Sequence, residues 1–177
     1  MSFLGNSEKK LLNNINPKYG VIFADIFRYC YIYEHGGIYL DIKSTIVTRI
    51  HPKIQECNFL LSQWRNRFGE KYVGWGLFDE LKLPGGEFQQ WFLVSEPNHK
   101  FLQVTLENVF HNIKNYNEKN FPNGRRGVLR LSGPICFTQS IIPLLKSQRY
   151  QVVDIESLGF RYSTMNWRDK DWHSKKD

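Results

Sequence analysis

The order of polar and apolar positions divides the chain into clear segments. Residues 1–20 are polar and punctuated by Asn13, Asn14, Asn16 and Pro17, which predicts a short helix near Glu8–Leu12 and then a loop. From Val21 the pattern turns apolar: Ile22, Ile26, Phe27, Cys30 and Tyr33 recur at helical spacing. Gly36-Gly37 ends this helix, because glycine tolerates a left-handed cap. Ile38-Tyr39-Leu40 then reads as a short buried strand that stops at Asp41. Ser44–Ile50 alternates and is β-branched, predicting a second strand or extended segment, and Asn58–Ser62 predicts another. Residues 64–90 are rich in glycine and charge, as expected of an irregular lobe, with a turn at Pro84-Gly85-Gly86. Trp91–Val94 suits either a strand or a helix start.

The second half is more regular. Phe101, Leu102, Thr105, Leu106, Val109, Phe110 and Ile113 form one stripe, making 97–116 the clearest helix. Residues 117–127, with Pro122 and Gly124, read as a loop. Gly133-Pro134 opens a further helix to about Leu145, which Pro143 kinks or shortens. Gln151–Ile155 predicts a strand, and the tail after Gly159 is aromatic and charged. Helices alternate with short strands, so the expected class is α/β with a mixed sheet. One domain spans 1–177, with a polar N-terminal segment at 1–20 and the tail at 160–177.

Composition narrows the classes of function. The 177 residues suit one sizeable core, and 41% apolar and 15% aromatic residues argue against disorder. Net charge is +7, which favours anionic partners. Yet Arg65/Arg67, Arg125/Arg126/Arg130 and Lys175/Lys176 are scattered rather than drawn into the stripe of a duplex binder, so nucleic acid is not expected as a partner. Three cysteines, Cys30, Cys57 and Cys136, without a C-x-x-C, indicate neither a disulfide framework nor a zinc knuckle. Cys30 and Cys136 read as small buried hydrophobes, and a reducing compartment is the simpler inference. No apolar run reaches the ~18 residues of a transmembrane helix, and MSFLGNSEKK lacks a secretory core. The expectation is a cytoplasmic chain, with peripheral membrane contact and homo-oligomerisation left open.

The candidate chemistry lies in ADIFRYCYIYEHGGIYLDIK, residues 24–43. Asp25 and Arg28 are three apart at a helix start and project on one face; they form either a surface ion pair or part of a binding site. The Arg28 fork suits hydroxyls, carboxylates or phosphates. Asp41 sits where a strand ends, the place where α/β sheets collect ligands. A carboxylate there holds a divalent cation or a ribose hydroxyl, or else caps a turn.

The whole string resembles the glycosyltransferase family 32 type, whose sugar-binding region carries a D-x-D motif. The family pattern is roughly A-D-x-x-R-Y-x-x-L-x-x-x-G-G-x-Y-x-D-x-D. The resemblance implies a GT-A fold, a Rossmann-like nucleotide-diphospho-sugar transferase domain, and transfer of a hexose from a UDP- or GDP-sugar to a glycan or lipid-linked acceptor with retention. It assigns Asp25 and Arg28 to the donor sugar or its phosphate. Tyr39 lines the nucleotide site, with Gly36 and Gly37 beside it, and Asp41 is the first D-x-D carboxylate, bound to ribose and to manganese or magnesium. The second carboxylate falls on Lys43. That ammonium either takes over part of the metal's charge at the diphosphate, or points away from it, or marks weakened activity. Leu131-Ser132-Gly133-Pro134 is similar to the family's T-G-P turn, with Gly133 opening a helix toward an anion or serving as an ordinary helix start. Gln89–Ser95 with Pro97-Asn98-His99 resembles the segment on the acceptor side. His173 is a candidate late ligand to metal or diphosphate, or a solvated tail residue. Trp64, Trp75, Trp91 and Trp167 include candidates for acceptor stacking, with core packing as the default.

The resemblance covers about residues 18–140. A full member starts with an apolar strand and a tryptophan-rich segment gripping the base, whereas about twenty polar residues precede Asp25 here. A natural short form lacking that strand, a fragment, or a base held by another chain are the expectations. Outside the enzyme class, the rival is a non-catalytic sugar-nucleotide or glycan-binding remnant.

Overall fold

The computed structural model describes residues 4–162 of the chain. Helix α1 is Asn6–Asn13 and a 3-10 turn follows at Pro17–Tyr19, started by the Asn16 side chain, which accepts from the Lys18 amide at 3.0 Å. Helix α2, Gly20–His35, buries Ile22, Ile26, Tyr29, Cys30 and Ile32 at three- and four-residue spacing. It ends as its glycines predict. The Gly36 amide donates to the Ile32 carbonyl at 2.8 Å, and Gly36 turns to φ 65°. A Cβ on Gly36 would lie 2.8 Å from Pro97 Cδ and 3.0 Å from the Ser95 carbonyl, so only glycine fits between the helix end and that strand.

Strand β1, Gly37–Leu40, pairs antiparallel with β4, Phe92–Ser95, placing Gly37 opposite Ser95 and Leu40 opposite Phe92. Strand β2, Thr45–Ile46, pairs antiparallel with β6, Phe160–Arg161, and β3, Leu60–Leu61, pairs parallel with β5, Gln151–Val152. A bridge between Phe59 and Ser95, and bonds from Glu96 N to Asn58 O and from Gln89 N to Ser62 O, tie β3 to the stretch containing β4. The pairing is therefore mixed, in an α/β fold.

Several elements differ from the pattern-based expectation. β1 is half-buried rather than buried, because its ladder partner among the named strands is β4 alone. The alternating run 44–50 forms a strand only at 45–46, where β6 is there to pair; Val47 and Ile50 are exposed. Helix α3 is the short Pro52–Gln55. Helix α4, Lys100–Lys114, begins after a turn with Asn98 at φ 60°, and His99 caps it: Nδ1 accepts from the Phe101 amide at 3.2 Å while Nε2 faces the Arg149 carbonyl at 3.1 Å. Helix α5, Arg125–Leu131, lies partly in the expected loop and is too short and basic to show a stripe. Helix α6, Pro134–Ile141, passes into a 3-10 turn at Ile142–Leu144, where Pro143 tightens the chain.

Two apolar clusters hold these parts together. One joins α2, α4 and α6 through Ile26, Tyr29, Phe101, Leu106 and Phe137. The other joins β3, β4 and β6 to the irregular lobe through Trp64, Trp91, Phe92 and Phe160. Cys30, Cys57 and Cys136 are free thiols, and Cys30 and Cys136 are buried as expected. Among the described residues no helix is long and apolar enough to cross a membrane.

Candidate functional site

The Gly36-Gly37 junction folds α2 back against β1. Arg28 on the helix thereby meets Tyr39 on the strand and Asp41 just past its end. The Asp41 amide extends the β1–β4 ladder by one rung, donating to the Trp91 carbonyl at 2.8 Å. That bond fixes the height at which the Asp41 carboxylate stands.

Arg28 is the hub and is buried. Its Nη1 pairs with Asp41 Oδ1 at 2.9 Å and donates to the Gln90 carbonyl at 2.9 Å; Nη2 faces Asp25 Oδ1 at 3.3 Å; Nε donates to the Ala24 carbonyl at 3.3 Å. Its Cζ lies 5.0 Å from the centre of the Tyr39 ring, within cation–π range. The Tyr39 hydroxyl donates to Asp41 Oδ1 at 3.0 Å. The pair three residues apart on α2 thus forms, but inside the protein rather than on its surface.

Asp25 is 1% exposed and both its oxygens are engaged. Ser132 Oγ donates to Oδ2 at 2.7 Å and Gln90 Nε2 donates to Oδ1 at 3.2 Å. The Tyr29 hydroxyl is in reach of Gln90 Oε1 and of the Ser132 carbonyl. Asp25 therefore orients Arg28 and locks α2 to the segment before β4 and to the end of α5. Gln90, Ser132 and Tyr29 complete the network. None stood out alone in the sequence, although each falls inside a stretch that resembles the family pattern.

One guanidinium serves two desolvated carboxylates, and the electrostatics follow. Burial pushes the Asp25 carboxyl up to about 6, against the pull of Arg28. Burial also raises Asp41, opposed by Arg28, the Tyr39 hydroxyl and the Lys43 charge. For Arg28 burial works against the charge, but Asp25 and then Asp41 outweigh it and hold the guanidinium ionised. Burial pushes the Tyr39 phenol up to about 12, so it remains a donor.

The remaining expected residues divide. Lys43 lies two residues beyond Asp41, in a turn closed by Ser44 N donating to Asp41 O at 2.8 Å, and the buried Ser44 Oγ has no partner. Gly37, at φ 95°, has open space around its Cα. Gly133 packs instead: its amide donates to the Val128 carbonyl at 3.0 Å, and a Cβ there would sit 2.8 Å from Leu129 Cα. That amide is therefore already engaged within the protein. His173 and Trp167 lie outside the described residues. Among the described residues no three His, Cys, Asp or Glu side chains cluster to hold a metal. Beside Asp41, whose Oδ1 already serves Arg28 and Tyr39, stands a lysine, so this donor set does not fit a divalent ion held by protein ligands alone. Two surface hollows of about 450 and 470 Å³ lie elsewhere, one by Glu80 and Arg130, the other by Tyr19 and Tyr116. The convergent polar network, not hollow size, marks the candidate site.

Residues 1–63 match the glycosyltransferase sugar-binding region containing DXD motif. Among solved structures, the PaToxG glycosyltransferase is similar, with a TM-score of 0.50 and 20% identity. The similarity covers 79% of this chain and 41% of that one, so the chain spans less than half the length of that relative. No curated protein matches the chain. The fold is that of a glycosyltransferase of the GT-A kind. The matched region contains the whole string from Asp25 to Lys43, so the likeness to that sugar-binding region falls on the Arg28–Asp41 network.

Proposed function

We propose that the chain binds a nucleotide-diphosphate sugar at the Arg28–Asp41 site and transfers its hexose, with retention, to a hydroxyl of a glycan or glycolipid. The observation that carries this reading is the Arg28 fork, held by Asp25 and aimed at Asp41 and Tyr39 on the far side of the Gly36-Gly37 turn.

The reaction breaks the bond between the anomeric carbon and the diphosphate oxygen and forms one from that carbon to the acceptor oxygen. The acceptor proton leaves with the diphosphate or to solvent. Negative charge grows on the departing diphosphate, so fixed positive charge beside it lowers the barrier. Lys43 supplies it here, while Arg28, paired with Asp25 and Asp41, holds the Asp41 carboxylate in place. Asp41 offers its Oδ2 to a ribose or sugar hydroxyl, while Tyr39 and Asp25 fix the geometry of the fork.

The experiment is donor hydrolysis with UDP- and GDP-sugars, with and without Mn²⁺. Nucleoside diphosphate release that Asp41→Asn and Arg28→Lys each reduce by at least about tenfold supports the reading. Release equal in wild type and both variants refutes it. Lys43 at the second carboxylate position favours a second reading, a non-catalytic binder of sugar nucleotides; donor binding without hydrolysis or transfer distinguishes it.

A further inference from the structure

Helix α2 turns one face away from both apolar clusters. Phe23, Phe27 and Tyr31 recur every four residues along it and are 37%, 47% and 46% exposed. Val21 and Ala24 widen the face and are exposed too. The rings are ordered: Phe27 stacks on Tyr31 with centres 5.6 Å apart, and Tyr31 meets the His35 ring at 4.7 Å. With Val21 the rings leave on the order of 300 Å² of apolar surface in water, as much as the largest patch of many monomers. Glu34 is the one charged side chain on this face and stands at its far end.

Strand β1 lies beside the same face and has an open edge. Asp25 and Tyr29 on α2 bond Gln90, just before β4, whereas Arg28 reaches Tyr39 on β1. Phe27 and Tyr31 stand one step further round the helix, past β1, and among the described residues β1 has no ladder partner there. The Asp41 amide donates to the Trp91 carbonyl. Alternation in an antiparallel ladder therefore turns the amides and carbonyls of Gly37 and Tyr39 to β4, and those of Ile38 and Leu40 outward. The edge reads Gly37-Ile38-Tyr39-Leu40, in continuous register. It carries none of the lysine, proline or bulge that ordinarily protects a sheet edge.

We propose that this side of the molecule joins two copies of the chain: β1 pairs antiparallel with β1 of a second copy about a two-fold axis at Tyr39, and the two α2 faces close beside each other. The register is self-complementary. Ile38 falls opposite Leu40 of the second copy and Leu40 opposite its Ile38, so every outward amide meets an outward carbonyl. A slip of one residue sets outward groups against inward ones. Arg28 is level with Tyr39, so the axis passes close to Phe27 and each Phe27 meets its own copy. Antiparallel helices then carry Glu34 to the first turn of the second copy's α2, where free amides and the helix dipole favour a carboxylate. The net charge of +7 sets no cation against cation across this face. A lipid surface would cover the rings but leave the outward amides and carbonyls unbonded, whereas a strand satisfies both. Rings and strand edge together come to ~500 Å² per chain, short of the ~800 Å² of a standard interface, which fits a dimer of micromolar strength. Each Arg28–Asp41 site then sits one residue beyond the shared strand, and the pairing holds whether or not that site takes a nucleotide sugar.

Sedimentation velocity of the full chain between ~1 and ~100 μM tests the pairing. The mass is expected to rise from 21.0 kDa toward twice that value. Phe27→Glu sets two carboxylates face to face and should weaken the association at least about tenfold while keeping the wild-type circular dichroism. Mild oxidation of an equimolar mixture of Ile38→Cys and Leu40→Cys chains should give more disulfide-linked dimer than either chain alone, because the two positions face each other across the axis. The mass of a single chain throughout, a dimer indifferent to Phe27→Glu, or no gain in cross-linking in the mixture overturns the proposal. So does a chain that stays single and sediments instead with phosphatidylserine vesicles, which assigns the rings to a membrane surface.

Discussion

Replacing Asp25 by asparagine keeps the shape of the buried network and removes its charge. In the folded protein burial holds this carboxyl at about 6, whereas 3.8 is ordinary. The native state therefore binds the proton more readily than the unfolded chain. Its stabilising effect is full below pH 3.8 and is lost as pH rises through 6. Linkage at about 1.4 kcal/mol per pH unit gives a contribution of ~2 kcal/mol at about pH 4.5 that vanishes by about pH 8. The amide of the Asp25→Asn variant cannot titrate, and the Ser132 hydroxyl is free to rotate from donor to acceptor. The stability of wild type minus that of Asp25→Asn should thus fall by ~2 kcal/mol between about pH 4.5 and about pH 8, as read from urea unfolding at half-unit pH steps. Subtraction removes the other titrating groups, Glu87 included. A flat difference refutes the claim that burial dominates at Asp25. A difference that grows with pH reverses it, showing that Arg28 outweighs burial and holds the carboxyl low.

Three further outcomes follow from the same geometry. Lys43→Asp restores the second carboxylate beside Asp41 and should make donor binding Mn²⁺-dependent, measured by calorimetry with and without chelator; unchanged metal dependence contradicts the placement of Lys43 at the diphosphate. Gly36→Ala brings a methyl to 2.8 Å from Pro97 at φ 65° and should cost at least ~2 kcal/mol in urea unfolding. Gly37→Ala, with open space around it, should cost only its backbone strain, ~1 kcal/mol.

Much of the site was legible because its residues are local. A helix closed by Gly36-Gly37 and followed by a strand brings Asp25, Arg28, Tyr39 and Asp41 near each other, and the distant Trp91 carbonyl then sets the height of Asp41. The sequence also placed α1, α2, α4 and the Pro143 break close to where they stand. What stayed hidden depends on distant partners. That Asp25 is sealed by Ser132 and Gln90 rather than open to a sugar follows from α5 and from the segment before β4, both far along the chain. The run 44–50 carries strand chemistry throughout, but β6 pairs with only two of its residues. Gly133 has the look of an anion-binding turn, yet its amide is taken by Val128 and its Cα by close packing on Leu129. Gln89 and Trp91 fall in the stretch that resembles the acceptor-side segment, but only the fold reveals that they and Glu87 are each buried with an unpartnered polar atom.

In this reading the Arg28–Asp41 site holds a nucleotide-diphosphate sugar. Thermal-shift titration with UDP- and GDP-sugars, comparing wild type with Asp41→Ala, tests it most directly. The expected result is a saturable rise in melting temperature with one nucleotide class, lost in the variant; no rise with any donor, or an equal rise in the variant, refutes binding at this site.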